Sequence, residues 1–217
     1  RLLYFLLFSL WVSSVSYSQK SDLNIEKKID RVIKNMTLKQ KIGQACLKGT
    51  SSRSKGLSEE LKNEVRMGLV GAILNLTDPD LVLQIQKIAV EESPTHIPLI
   101  FGRDVIHGYK TIFPIPLGLA ASWDMELVEK TSKIAANESY SRCINWTYAP
   151  MVDIARDARW GRIAESPGED PLLASRLGTA YIKGFQGNDP SVPGQILACV
   201  KHFAAYGAAE GGRDYNT

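Results

Sequence analysis

The apolar positions of this chain change their period along its length. From Ile25, apolar residues recur at Ile29, Val32, Ile33 and Met36, the spacing of an amphipathic helix. Thr37 stands as the cap of a second helix, with Gln40 in the capping-box place and Leu38, Ile42 and Ala45 as its inner face. Ser58-Glu59-Glu60 opens a third helix that stops near Gly68, with its acids placed to favour the helix dipole. Beyond it, apolar runs of strand length alternate with helical stretches. Residues 70–76, 97–101, 144–149 and 196–200 form four clear strands, and 45–47 is a candidate fifth. Asp78-Pro79 and Asp170-Pro171 each combine a capping Asp with a Pro in the first turn. Leu81, Ile85 and Ile88 mark the buried stripe of the first of these helices, which Pro94 ends. Asp124 caps a helix on which Leu127, Thr131, Ile134 and Glu138 share a mixed face. Leu172, Ser175, Leu177 and Tyr181 lie along the last helix, which ends near Gly184 or Gly187.

Alternating strands and helices predict an α/β fold with a parallel sheet and right-handed crossovers. An open doubly wound sheet and a (β/α)8 TIM-like barrel both fit the pattern. Long polar loops follow several strands, as in barrels. A whole barrel takes about 250 residues, and four to five strands fill half of one. The expectation is a partial (β/α)8 barrel made of its first four to five βα units.

Composition narrows the class only a little. The chain has 217 residues, 44% hydrophobic and 23% charged, with a net charge of +3. That is ordinary globular material, and no basic run or basic-aromatic patch points to nucleic acid. Cys46, Cys143 and Cys199 lie far apart without metal spacing, and read as buried free thiols. The start looks different from the rest. Residues 2–12 are apolar after Arg1, and Ser16-Tyr17-Ser18 follows as a small-x-small site. Residues 1–18 therefore read as a signal peptide cleaved before Gln19, with 19–217 as the folded part. The apolar stretch is too short for a comfortable membrane span, so the expected product is exported, to the periplasm or outside.

Chemistry-bearing residues gather after the strands, where α/β enzymes place their ligand groups. One strand leads into Gly102-Arg103-Asp104-Val105-Ile106-His107-Gly108. Another leads to Asp153, then Arg156-Asp157-Ala158-Arg159-Trp160-Gly161-Arg162, Glu165 and Glu169-Asp170. The last leads to Lys201-His202-Phe203, then Glu210, Arg213 and Asp214. Carboxylate, guanidinium, ammonium and imidazole all make charge-assisted hydrogen bonds to hydroxyls, so the inventory suits a polyhydroxylated ligand. Trp160 and Tyr206 offer flat faces to a sugar ring. A plainer account makes Arg156, Arg159 and Arg162 an ion-pair network with Asp153, Asp157 and Glu165. It also makes Glu169 and Asp170 structural and His96 a loop residue. Lys201 directly after an apolar strand is costly without a partner, which favours a task for it. Phosphate-binding Gly-rich loops, metal-ligand clusters and a Gly-x-Ser-x-Gly elbow are absent from the sequence. No cofactor or metal is expected.

These residues resemble a known family. The rim sequence at 102–108, Ala149-Pro150-Met151-Val152-Asp153, the segment 156–162 with Glu165-Ser166-Pro167-Gly168-Glu169-Asp170, and Lys201-His202-Phe203 look like glycoside hydrolase family 3. The stretch Ala205-Tyr206-Gly207-Ala208-Ala209-Glu210-Gly211-Gly212 is similar to its periplasmic bacterial β-glucosidase branch, and Met36-Thr37-Leu38 through Ile42-Gly43-Gln44 also fits. The resemblance runs from about residue 24 to 217. Ala158 stands where the family often has Pro. The loop after Phe203 lacks the Pro-Gly-His pattern of the N-acetylhexosaminidase branch.

The resemblance implies a retaining β-glycosidase acting on a β-linked gluco-oligosaccharide or β-glucoside. Asp104, Arg162, Lys201 and His202 would grip the hydroxyls of the sugar in subsite −1, with Arg103 and Tyr206 at the rim. It also implies that the catalytic nucleophile, an Asp, and the acid/base, a Glu, lie beyond Thr217, so this stretch holds no catalytic carboxyl. A β-xylosidase or other exo-glycosidase of the family is the alternative specificity. A non-catalytic sugar-binding protein is the alternative from another class.

Overall fold

The computed structural model describes residues 23–50 and 56–213. The expected signal peptide, most of the loop after Thr50, and Asp214 lie outside the described residues. The chain opens with α1 (Leu23–Asn35) and α2 (Leu38–Gln44), then β1 (Leu47–Gly49) and α3 (Glu59–Arg66). Next come β2 (Ala72–Leu74), α4 (Pro79–Lys87), which runs on as a π turn (Ile88–Glu92), and β3 (Ile100–Arg103). Then follow α5 (Pro116–Ala121), α6 (Met125–Tyr140), β4 (Trp146–Thr147), α7 (Pro171–Gln186) and β5 (Leu197–Ala198). The five strands pair in chain order, all parallel. This is the expected α/β arrangement: five strands of an incomplete barrel-like sheet, not closed.

Local chemistry sets the helix starts. Thr37 and Gln40 form the capping box at α2, each side chain bonding the other's backbone N–H. Asp78, Asp124 and Asp170 accept from first-turn amides of α4, α6 and α7, and Pro79 and Pro171 follow two of these caps. Asp78 and Asp170 lie in the stretches that follow β2 and β4, and Asp124 follows α5.

Two apolar clusters hold the helices to the sheet. Ile73, Phe101 and Leu99 pack with Val65, Val82 and Ile85 of α3 and α4. Val105 and Ile196 pack with Val128, Ala135, Leu177 and Phe185 of α6 and α7. The opposite sheet face is barer: the paired row Leu74, Gly102, Trp146 and Leu197 lies there, and Leu197 and Ile100 are exposed. Gly102 is required in that row, because a Cβ there would run into the Tyr148 ring.

Several expected faces are corrected. Leu38 and Ile42, expected on the inner face of α2, are 74% and 59% exposed, and Ala45 is exposed too. The helix packs instead through Gly43, whose missing side chain allows backbone contact with Leu69. On α6 the buried face is Val128, Thr131, Ser132, Ala135, Ala136 and Ser139, so Leu127 and Ile134 point outward. Small residues won that face because α7 approaches closely there: Gly184 would clash with Ser132 if it carried a Cβ. The three cysteines are free but only half-buried.

Replacing Ile73, which is fully buried between sheet and helices, with Ala is expected to destabilise the fold by about 2–5 kcal/mol. Urea unfolding followed by circular dichroism measures it. Leu38→Ala, on the exposed face of α2, should leave the midpoint nearly unchanged.

Candidate functional site

The strand ends deliver their polar residues to one rim. Asp104 directly follows β3. Met151 and Lys201 continue β4 and β5 as an isolated parallel bridge, and Val152 N–H donates to the Lys201 carbonyl. That bridge sets Asp153 beside His202. Asp104, Asp153 and the Lys201-His202 pair thus sit at three neighbouring strand ends.

Lys201 Nζ donates to Asp104 Oδ1 at 3.0 Å. The lysine side chain is 11% exposed while Asp104 is 48% exposed. The ammonium therefore comes from within the fold and the carboxylate faces solvent. The carboxylate partner offsets the cost of holding a largely buried cation.

Asp153 is the more buried acid, with a side chain 3% exposed. Its Oδ2 accepts from the His202 backbone N–H at 2.9 Å and from Nδ1 at 2.8 Å. On the far side of the ring, Arg162 NH1 lies 3.4 Å from His202 Nε2. A guanidinium only donates, so Nε2 accepts and the ring proton sits on Nδ1 toward Asp153. Arg162 also makes a two-pronged contact with Glu165, Nε to Oε1 at 2.6 Å and NH2 to Oε2 at 2.7 Å. Hydrogen bonding to Arg162 holds the Glu165 carboxyl below its usual range.

Tyr206 ties these groups together. Its ring stands edge-on to His202 at 4.7 Å and to Trp160 at 5.4 Å, and the Arg162 guanidinium lies 5.2 Å from its centroid. Trp160 is 1% exposed and packs with Met151, Ala155 and Ala209. It therefore supports Tyr206 from beneath and does not offer a face to a ligand, contrary to the expectation from sequence. Arg162, His202, Phe203 and Tyr206 line an open cavity at this rim.

The structure thus brings five of the six candidate residues together: Asp104 with Lys201, and Arg162 with His202 and Tyr206. Arg103 goes elsewhere. It pairs in register with Thr147, and its guanidinium lies 5.6 Å from the Tyr109 ring centroid. His107 turns back to its own loop, its Nδ1 3.2 Å from the Phe113 carbonyl. Two pairs of the expected ion-pair network are present. Arg159 pairs with Asp157 and Arg162 with Glu165, whereas Asp153 serves a histidine instead of an arginine. Asp170 is a helix cap, as its Pro neighbour suggested. Asp153 was the residue whose role the sequence hid. Its signal was a carboxylate closing the mostly apolar stretch Ala149-Pro150-Met151-Val152 beyond the strand. Among the described residues, no group of three His, Cys, Asp or Glu is placed to hold a metal ion.

Comparison with known proteins bears on this rim. The family model for the glycosyl hydrolase family 3 N-terminal domain matches residues 37–217. The chain belongs to glycosyl hydrolase family 3. It is 42% identical over 186 residues to the periplasmic β-glucosidase of Salmonella typhimurium, covering 86% of this chain and 24% of that protein. It is 30% identical to a β-xylosidase of Formosa agariphila, covering 86% of this chain and 22% of that protein. A solved structure of the β-glucosidase from Listeria innocua in complex with glucose superposes with a TM-score of 0.76 at 41% identity. That match covers 88% of this chain and 28% of that one. This family 3 chain spans about a quarter of the length of the relatives it matches. No helix among its described residues is long and apolar enough to cross a membrane.

Two outcomes follow from the geometry. Asp153→Ala leaves the half-buried His202 N–H groups without their carboxylate, a loss of about 1–3 kcal/mol readable in thermal unfolding, and Asp153→Asn should lose less. The Glu165 carboxyl titrates below its ordinary 4.5 because of Arg162. Its contribution to stability is therefore complete above that value and lost as pH falls through the lower folded value. Glu165→Gln should flatten the acid limb of a stability-against-pH curve.

Proposed function

We propose that this chain is the sugar-gripping part of a retaining, exo-acting β-glucosidase that releases terminal non-reducing β-D-glucosyl residues from oligosaccharides or glucosides. The observation that carries the reading is the Asp104–Lys201 pair set beside the Arg162–His202–Asp153 chain at three neighbouring strand ends. Solvent-facing carboxylate, guanidinium and imidazole in one rim form a charged hydrogen-bonding surface for vicinal hydroxyls. Asp104, Arg162, Lys201 and His202 hold the sugar in subsite −1, and such bonds strengthen as the ring moves toward an oxocarbenium-like transition state. Lys201 also lends positive charge that keeps a nearby carboxylate nucleophile ionised. Tyr206 orients Arg162 and His202 and forms part of the rim.

Retaining hydrolysis needs two carboxyl groups about 5 Å apart across the scissile bond. Asp104 is engaged by Lys201, Asp153 is buried on His202, and Glu165 is held by Arg162. Each of the three already has a structural partner, and the resemblance to family 3 implies that the nucleophile Asp and the acid/base Glu lie in other parts of the complete polypeptide. Likeness to the Salmonella β-glucosidase and to the glucose complex of the Listeria enzyme supports glucose as the sugar. Likeness to the Formosa β-xylosidase keeps xylose as the second reading. Residues 1–18 are proposed as a cleaved export signal, and mass spectrometry of the exported product should find Gln19 at its start.

The test compares 4-nitrophenyl β-D-glucoside and β-D-xyloside with the complete polypeptide. The glucoside should be cleaved faster, and the isolated 217-residue chain should cleave neither. Asp104→Asn in the complete enzyme should lower kcat/KM by about 10–100-fold, the worth of one charged hydrogen bond. Full activity in that variant, or hydrolysis by the isolated chain, would contradict the assignment.

A further inference from the structure

Outside the cluster just described, one carboxylate makes an unusual set of contacts. Glu138 lies in the last turn of α6, in a helix without basic residues in that turn. A negative charge there opposes the helix dipole and costs helix stability. Yet the side chain is fully engaged. Its Oε2 accepts from the backbone N–H of Lys110 at 2.8 Å and of Thr111 at 2.9 Å, and its Oε1 accepts from the Thr111 hydroxyl at 2.6 Å. These partners lie at the tip of the loop that follows β3, the loop that begins with Asp104.

That loop is a small hairpin. Gly108 bridges Ile112, and Phe113 N–H donates to the His107 carbonyl. Gly108 has a φ of +108°, and a Cβ there would strike the Thr111 carbonyl. Between hairpin and tip stands Tyr109, which packs against the main core and carries the Arg103 guanidinium over its ring. Arg103 directly precedes Asp104. At the base, Val105 N–H donates to Thr147 Oγ1. The loop is thus pinned at its base by β4 and at its tip by α6, and its middle leans on the residue next to the sugar-binding carboxylate.

We propose that Glu138 is a positioning residue for the sugar grip, fixing the tip of the β3 loop so that Tyr109 and Arg103 hold Asp104 in place. The inference rests on the proposed role of Asp104. Hydrogen bonding to Thr111 holds the Glu138 carboxyl below its usual range, so the clamp is intact at neutral pH. Geometry is what matters here, more than charge. A glutamine at 138 keeps an oxygen for the two amides, and its NH2 group donates to the Thr111 hydroxyl, which accepts equally well.

The test measures kcat, KM and thermal unfolding of the complete polypeptide with 4-nitrophenyl β-D-glucoside, for Glu138→Ala, Glu138→Gln, Tyr109→Leu and the Glu138→Ala/Tyr109→Leu pair. Small displacements of binding groups cost large factors in rate, and a loss of about tenfold in kcat/KM is expected for Glu138→Ala. Glu138→Gln should stay within about twofold, and the double variant should be no worse than Tyr109→Leu, because both act through one chain. A Glu138→Ala enzyme with normal kcat/KM, or one changed only in unfolding temperature, overturns the role. So does an additive double variant. An unsubstituted enzyme that cleaves no β-glucoside would sink the functional reading itself.

Discussion

The rim depends on a carboxylate hidden from water. Asp153 gives one oxygen to two donors of the same residue, the backbone N–H and the ring Nδ1 of His202. Burying an ionised group is expensive, and it persists only where directional donors replace its lost water. That requirement fixes the angle of the imidazole, and other contacts follow from it. The Nε2 edge turns to Arg162, the ring edge meets Tyr206, and Tyr206 in turn rests on Trp160. The bond also joins the chain beyond β4 to the chain beyond β5, where the regular ladder has already ended.

Rigidity reaches the rim from below. Helices α6 and α7 pack face to face through small residues, α7 also packs on β5, and both share one apolar cluster with Val105, Ala149 and Ile196 beside the strands. The loop after β3 has little regular structure of its own, yet it is tied down at both ends by single side chains, Thr147 and Glu138. Loops that carry polar residues need such ties because they lack an apolar core of their own.

Periodicity and capping chemistry made the elements legible. Asp-Pro pairs marked the starts of α4 and α7, and each of the four clear apolar runs became a strand shorter than the run itself. Which face each helix buries was harder to read. On α6 the larger residues Leu127 and Ile134 point to solvent and the small ones pack inward, because closeness to α7 outweighs apolar area there. At the rim, residue types at the strand ends singled out Asp104, Lys201 and His202, which the structure brings together. They did not reveal how partners would sort. Three arginines near three acids suggested arginine pairs throughout, while tertiary geometry gave Asp153 to His202. Trp160 shows the same limit, since an aromatic ring in a polar loop reads alike whether it is exposed at the rim or, as here, buried beneath another ring.

The contacts of the rim share a further property. Lys201 and Asp104 are 97 positions apart, His202 and Asp153 are 49, and Arg162 and His202 are 40. No short segment of the chain holds any of these pairs by itself. Closing such separations costs chain entropy that only the assembled sheet and its helices repay, which places these contacts among the slow, non-local ones. The rim therefore reports on the whole fold: a chain in which β3, β4 and β5 are not yet side by side has helices, but has no assembled rim.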